Sequence, residues 1–379
     1  MLLSDKFTVE RGSVYLTGIQ ALVRLPLDQM RRDRRAGLKT GAFISGYEGS
    51  PLGGYDLALA RSKKLLDENG VHFRPGLNED LAATSIMGTQ IFEVVGKSKV
   101  DGVLGIWYGK GPGVDRSGDI FRHANLAGTG KNCAALVLAG DDHGCKSSTI
   151  PHQSDFSLMN TGIPFLFPGN VQEIIDYGLL AIAISRFSGA WVGLKLVTDV
   201  CDGGSTVILD PDQPQIVIPE NYRKNVDPRL VPPITLAMEY EVNARRLQAV
   251  LEFARLNRVN RWHGSKKAWL GLVSAGKAYY DLAQALRDLS IGETELEELG
   301  IRVAKFGMTF PLDQQFARDF ADGLDTILVV EEKRSFLELH LRDALYSSAS
   351  HPRFSAKSTR KVRPYSFRPA NSIPIKSRS

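Results

Sequence analysis

Cysteine is scarce in this chain, with three in 379 residues, at positions 133, 145 and 201, and no Cys-x-x-Cys pair. That spacing excludes an iron–sulfur or structural zinc site built on paired thiolates, and it offers no disulfide framework. Long apolar runs are missing too. The most apolar stretch, Gly178 to Leu196, is broken by Arg186 and Lys195 and does not read as a membrane span. The first residues, Met-Leu-Leu-Ser-Asp-Lys, carry charge where a signal peptide needs an apolar core. A dominant charge of one sign is also absent. The formal net charge is +5, but eight Lys/Arg and no Asp or Glu follow Ser347, which leaves 39 basic against 42 acidic residues before it. No nucleic-acid footprint spans such a body. The expectation is a reduced, cytoplasmic protein that binds neither membrane nor nucleic acid.

What is present is 43% apolar content, enough for a sizeable core divided over two or three domains. Short apolar runs alternate with amphipathic stretches. Ala42–Ser45, Gly102–Trp107, Cys133–Ala139, Phe165–Phe167 and Trp191–Val197 read as strands. Asp56–Glu68, Asn78–Val95, Ser117–Leu126 and Val171–Phe187 read as helices. This order predicts a doubly wound parallel sheet with helices on both faces, over residues 1–201. Residues 202–265 read as a Pro/Gly/Asp-rich linker followed by one helix, Ile234–Val259. Residues 266–346 repeat the β–α alternation as a smaller α/β domain. Residues 347–379, serine-, proline- and base-rich, are expected to be disordered.

Three polar, glycine-bearing loops should emerge together at the carboxyl edge of the first sheet, where such folds bind ligands. They are Gly46–Gly54, Tyr108–Arg116 and Asp141–Ser148. Near them stands Glu79, an acid at the start of a helix whose next turns carry Ala82, Ala83, Ser85 and Gly88. Read alone, Glu79 is either a surface acid facing the helix macrodipole or a functional carboxylate.

Taken together, Gly46-Tyr-Glu-Gly-Ser-Pro-Leu-Gly-Gly-Tyr55, Leu77-Asn-Glu-Asp-Leu81, Tyr108-Gly-Lys-Gly-Pro-Gly-Val-Asp-Arg116 and Gly140-Asp-Asp-His-Gly-Cys-Lys-Ser-Ser148 resemble the indolepyruvate/2-oxoacid:ferredoxin oxidoreductase family in its long fused form. Leu272-Val-Ser-Ala-Gly-Lys277 and Val329-Val-Glu-Glu-Lys-Arg334 extend the likeness, which covers residues 5–346. The resemblance implies a pyrimidine-binding thiamine diphosphate domain followed by a transketolase C-terminal-like domain. In this family a carboxyl group hydrogen-bonds the aminopyrimidine of thiamine diphosphate, and the cofactor is the electron sink for oxidative decarboxylation. Glu79 is implied for that role. Gly49 and Ser50 are implied at the cofactor, and Ser50, Lys110, Arg116, His123 and His143 are candidates toward a 2-oxoacid carboxylate. Each of the latter is also explained as a tight turn or a solvated rim.

The chain departs from the family in three ways. It has no diphosphate-binding domain, since Gly140-Asp141-Asp142 with Asn160 lacks the family's spacing and its Asn pair. It has no cysteine cluster for [4Fe–4S] centres, and no segment corresponding to the family's small subunit. Mg²⁺, the clusters and ferredoxin contact are thus expected only through a partner chain, and the chain itself is expected to be a truncated form or half of a split enzyme. Two rival readings are an inert α/β scaffold that binds a partner subunit and a nucleic-acid binder acting through its basic tail.

Overall fold

Strands that lie inside a parallel sheet must be apolar on both faces. The runs named above meet that condition. In the computed structural model, which describes residues 5–92, 96–346, 348 and 352–355, the strands are β1 (Gly12–Thr17), β2 (Gly41–Gly46), β3 (Val71–Phe73), β4 (Val103–Lys110), β5 (Ala134–Asp141), β6 (Phe165–Leu166) and β7 (Trp191–Val197). They continue as β8 (Gly204–Leu209), β9 (Arg261–Gly264), β10 (Leu270–Ala275), β11 (Ile301–Phe306), β12 (Met308–Phe310), β13 (Thr326–Val330) and β14 (Arg353–Ser355).

The larger sheet has the order β12-β6-β7-β5-β4-β2-β3, parallel throughout except at β12. Alternate residues of β5 serve its two faces. Leu136 and Leu138 pack with the helices Gly18–Arg35 and Val171–Ser188, while Ala135, Val137 and Ala139 pack with Glu79–Gln90 and Gly118–Ala127. The expected doubly wound α/β sheet is therefore observed. Helix Gly18–Arg35 starts where Thr17 caps the Gln20 N–H and Gln20 bonds back to Thr17, a reciprocal capping box. The smaller sheet, β14-β13-β10-β11-β9, is parallel except at β9.

Several local expectations change. The segment read as a linker opens with β8, which pairs antiparallel with β1 from the other end of the first unit. The 234–259 helix runs as Ile234–Tyr240, a π-helical stretch Glu241–Arg246, and Leu247–Leu256. Asp56–Glu68 is interrupted at Ser62, which joins Gly53–Arg61 to Lys63–Glu68. Helix 78–95 spans Glu79–Gln90, and Val95 lies outside the described residues. Within the stretch expected to be disordered, 347–379, Arg353–Ser355 instead forms β14 beside β13, while 356–379 lie outside the described residues.

The two units are also not separate packings. β12, from the second, pairs with β6 and completes the first sheet. One continuous core holds Ile44 and Leu136 together with Val273, Phe306 and Leu341.

Candidate functional site

β2, β4 and β5 are neighbours in register, with Gly46 opposite Tyr108 and Lys110 opposite Gly140, so their carboxyl ends and the loops after them share one edge. Glycine is required at 46, where a Cβ would lie 2.1 Å from the Tyr108 carbonyl oxygen. That closeness lets Gly46 accept from the Gly76 N–H at 2.8 Å, which draws the next helix start to the same edge. Asn78 caps this helix by accepting from the Leu81 N–H at 2.9 Å.

Glu79 is the first residue of that helix and is 7% exposed. Its carbonyl accepts from Trp107 Nε1 at 3.0 Å. Its side chain lies on Gly113, where a Cβ would come within 2.7 Å of Glu79 Cγ. The sequence predicts a loop over Tyr108–Arg116, but Gly111–Arg116 forms a short helix opened by Pro112, and that helix is the bed of the carboxylate. Arg116, at its end, bonds Asp80 at 3.0 Å and stands 3.8 Å from Glu79 Oε2. Leu77 and Leu81, both exposed, flank the helix start.

Beside it, Gly49 lies against the stem of Lys110, and the Ser50 and Ser147 hydroxyls bond to each other. Ser148 Oγ donates to the Ser50 carbonyl at 3.3 Å. Asp142 organises this loop. Burial would raise its pKa, but the N–H groups of Ser147, Lys146 and Ser148 donate to it at 2.9 Å and hold it below the ordinary value.

A second group of charges occupies the same edge at the junction with the second unit. Asp141 is completely buried and accepts from Ser154 N at 2.8 Å and Ser154 Oγ at 2.6 Å. His152 Nδ1 is 3.4 Å from it, and His143 Nε2 and Lys195 Nζ are each 3.8 Å away. Burial opposes its charge, but these histidines and Lys195 outweigh burial and lower its pKa. Lys195 in turn donates to Asp155 at 2.5 Å. His143 reaches Glu332 at 2.5 Å, and His152 reaches Asp115 at 2.8 Å. Burial lowers both histidine pKa values, and Lys195 lowers that of His143 further, yet Asp141 together with Glu332 for His143 and with Asp115 for His152 prevails, and both stand above the ordinary value.

The edge thus brings together Glu79 with Arg116, Gly49 with Lys110, and Ser50 with the 142–148 loop. His143 belongs to the neighbouring cluster. His123 is apart from both, exposed on helix Gly118–Ala127 and facing Asp119 one turn earlier. Glu331 and Glu332 stand at a strand end, where they are expected to cap or to pair with Lys333 and Arg334, and for Glu331 the cap is what forms. Glu331 accepts from the N–H groups of Phe336, Leu337 and Glu338 and caps the last helix, while Glu332 holds His143. Asp141, Lys195, His152 and Asp115 were missed as a set. The available signal was the density of acid and histidine just after strand ends, together with a lysine inside an otherwise apolar strand.

Residues 260–373 match the family model of the indolepyruvate oxidoreductase domain. The match runs through the basic segment that the sequence reading set apart after Tyr346. The chain is 26% identical over 343 residues to indolepyruvate oxidoreductase subunit IorA of Methanothermobacter marburgensis, covering 89% of this chain and 50% of that one. The subunit of the same name from Archaeoglobus fulgidus is 24% identical over 343 residues, covering 88% and 49%. The chain therefore spans about half the length of the curated relatives it matches. Its fold is similar to that of 2-oxoglutarate:ferredoxin oxidoreductase from Magnetococcus marinus, with a TM-score of 0.66 and 14% identity over 91% of this chain and 62% of that one. Transketolase from Leishmania mexicana follows at a TM-score of 0.50 and 13% identity, over 88% and 41%. The resemblance read from the sequence is thus also what the sequence comparisons return.

Proposed function

We propose that this chain is the pyrimidine-binding and transketolase C-terminal-like portion of a thiamine diphosphate-dependent 2-oxoacid oxidoreductase, with aryl pyruvates such as indolepyruvate as the substrate class and ferredoxin as the eventual acceptor. The observation that carries this reading is Glu79. It is a nearly buried carboxylate at a helix start, on the ligand-binding edge of a parallel sheet, with a glycine beneath it and its nearest cation 3.8 Å away. When bound, thiamine diphosphate supplies the electron sink for decarboxylation. Glu79 fits its pyrimidine end, because its backbone is fixed by the Asn78 cap and by Trp107 and its side chain rests on Gly113, so the carboxyl can hold a hydrogen bond to a ring nitrogen without reorganising.

The diphosphate–Mg²⁺ end fits poorly here. Asp141, the first acid of the Gly140-Asp-Asp run, is saturated by Ser154 and its charged neighbours, and Asp142 is occupied by its own loop. Among the described residues no group of three or more His, Cys, Asp or Glu is arranged to hold a metal ion. A partner polypeptide is therefore proposed to supply that end and the iron–sulfur centres, docking over the exposed Leu77 and Leu81. On this reading Lys110 and Arg116 orient the substrate carboxylate, with Gly49 and Ser50 leaving room beside them. No helix among the described residues is long and apolar enough to cross a membrane, which is compatible with the cytoplasmic location proposed.

A second reading, an inert scaffold, draws on the proximity of Arg116 to Glu79 and Asp80, since such a pair explains a helix-start acid without chemistry. Calorimetric titration of thiamine diphosphate with Mg²⁺ separates the two readings, using the chain alone and then with a polypeptide carrying the second half of a relative. Binding only with the partner, lost in Glu79→Ala, is the expected result. Absence of binding in both cases leaves the scaffold.

A further inference from the structure

We propose that Asp141 is a positioning residue for Glu79, acting through His152 and Asp115 on the short helix Gly111–Arg116 against which the Glu79 side chain rests. The proposal builds on the reading of Glu79 as the cofactor-facing carboxylate. The chain of contacts is continuous. Asp141 is fixed by Ser154 and faces His152 Nδ1 at 3.4 Å. The other nitrogen of the same ring meets Asp115 Oδ2 at 2.8 Å, and Ser157 Oγ donates to Asp115 Oδ1 at 2.5 Å. The ring also supports the start of the helix, since a Cβ at Gly111 would fall 1.9 Å from His152 Nδ1. One imidazole thus holds both ends of a six-residue helix. Midway along it Gly113 abuts Glu79, and its last residue, Arg116, faces Glu79 and Asp80.

His152 donates to both carboxylates only as the imidazolium. The charges around it favour that form. Asp115 and Asp141 face it directly, while Arg116 is turned to Asp80. On the far side of Asp141, Lys195 from β7 is engaged by Asp155, and His143 is engaged by Glu332 at the end of β13. Lys333 donates to the His143 carbonyl at 2.8 Å. Burial opposes the charge on His152, but the two carboxylates more than offset it. When the ring loses its proton one of its two bonds is lost, and the helix under Glu79 loses a support.

NMR on the full chain tests this without cofactor. The Trp107 indole N–H, bonded to the Glu79 carbonyl, and the ¹³C-labelled Glu79 carboxyl are followed against pH with the His152 ring. Wild type is expected to show both reporters moving at the His152 midpoint, above pH 6.5. Asp141→Asn is expected to lower that midpoint by about one pH unit and carry both reporters with it. Should that variant not fold, His152→Gln is the second test, and the reporter transition is expected to vanish there. Reporters that stay flat through the His152 titration, or that keep their transition in His152→Gln, overturn the proposal. A coupled titration supports it whatever the cofactor titration says of Glu79, so the two readings fail separately.

Discussion

Two carboxylates a few strands apart, Glu79 and Asp141, lie on one edge of one sheet and are both removed from water, yet their surroundings are opposite. Asp141 is enclosed by a serine that donates twice, two histidines and a lysine. Glu79 has one cation at 3.8 Å, a glycine bed and an exposed apolar border. Burying a charge is tolerated when partners compensate it, as around Asp141. Among the described residues no hydrogen bond is made to the Glu79 carboxylate, which leaves its capacity open to the ligand proposed for it. Burial alone therefore does not mark a functional acid; the degree to which its partners satisfy it is more informative.

The largest effect should come from emptying the saturated side. Asp141→Ala leaves Lys195, His143 and His152 without their shared counter-charge and is expected to cost about 3–5 kcal/mol, read as a shift of the denaturation midpoint. An unchanged midpoint breaks the contrast.

Gly113→Ala acts on the open side. The new Cβ meets Glu79 Cγ at 2.7 Å, so overpacking of about 1–3 kcal/mol is expected. Loss of thiamine diphosphate binding in the reconstituted pair should exceed what that destabilisation explains.

The smallest effect is in pH. His143 and His152 have raised pKa values in the folded state, so their contribution is fully present below about pH 6.5 and fades as pH rises through the folded values. Asp141, whose folded pKa is lowered, contributes above about pH 3.8 and loses its contribution as pH falls through its folded value. Denaturation midpoints from pH 5 to 9 should decline by on the order of 1 kcal/mol in wild type. The decline should be reduced in a His143→Gln, His152→Gln double variant.

Much of this was legible in the sequence because its signals are local. Apolar runs such as Ala134–Ala139 and Trp191–Val197 announce buried parallel strands, and once they are parallel, the loops after them must share an edge. Long-range pairings were not legible. β12 and β6 have three and two residues, too few for any periodicity, and β1 meets β8 across nearly two hundred residues of chain. Gly111-Pro-Gly113 reads as loop because its helix is stabilised by the His152 ring and Glu79, which the local sequence does not contain. Lys195 looked like an interruption of an apolar run. It is accommodated there because Asp155 and Asp141 arrive from elsewhere.

The pairing of β12 with β6 has a consequence for synthesis. A ribosome making this chain completes β7 more than a hundred residues before it reaches Phe310. Over that interval the nascent first unit has Phe165–Leu166 as an uncovered sheet margin, open to strands of neighbouring chains. The margin closes only after the second unit has left the exit tunnel, so the two halves should reach their native state in one late step, and prematurely released fragments should be the species that chaperones retain.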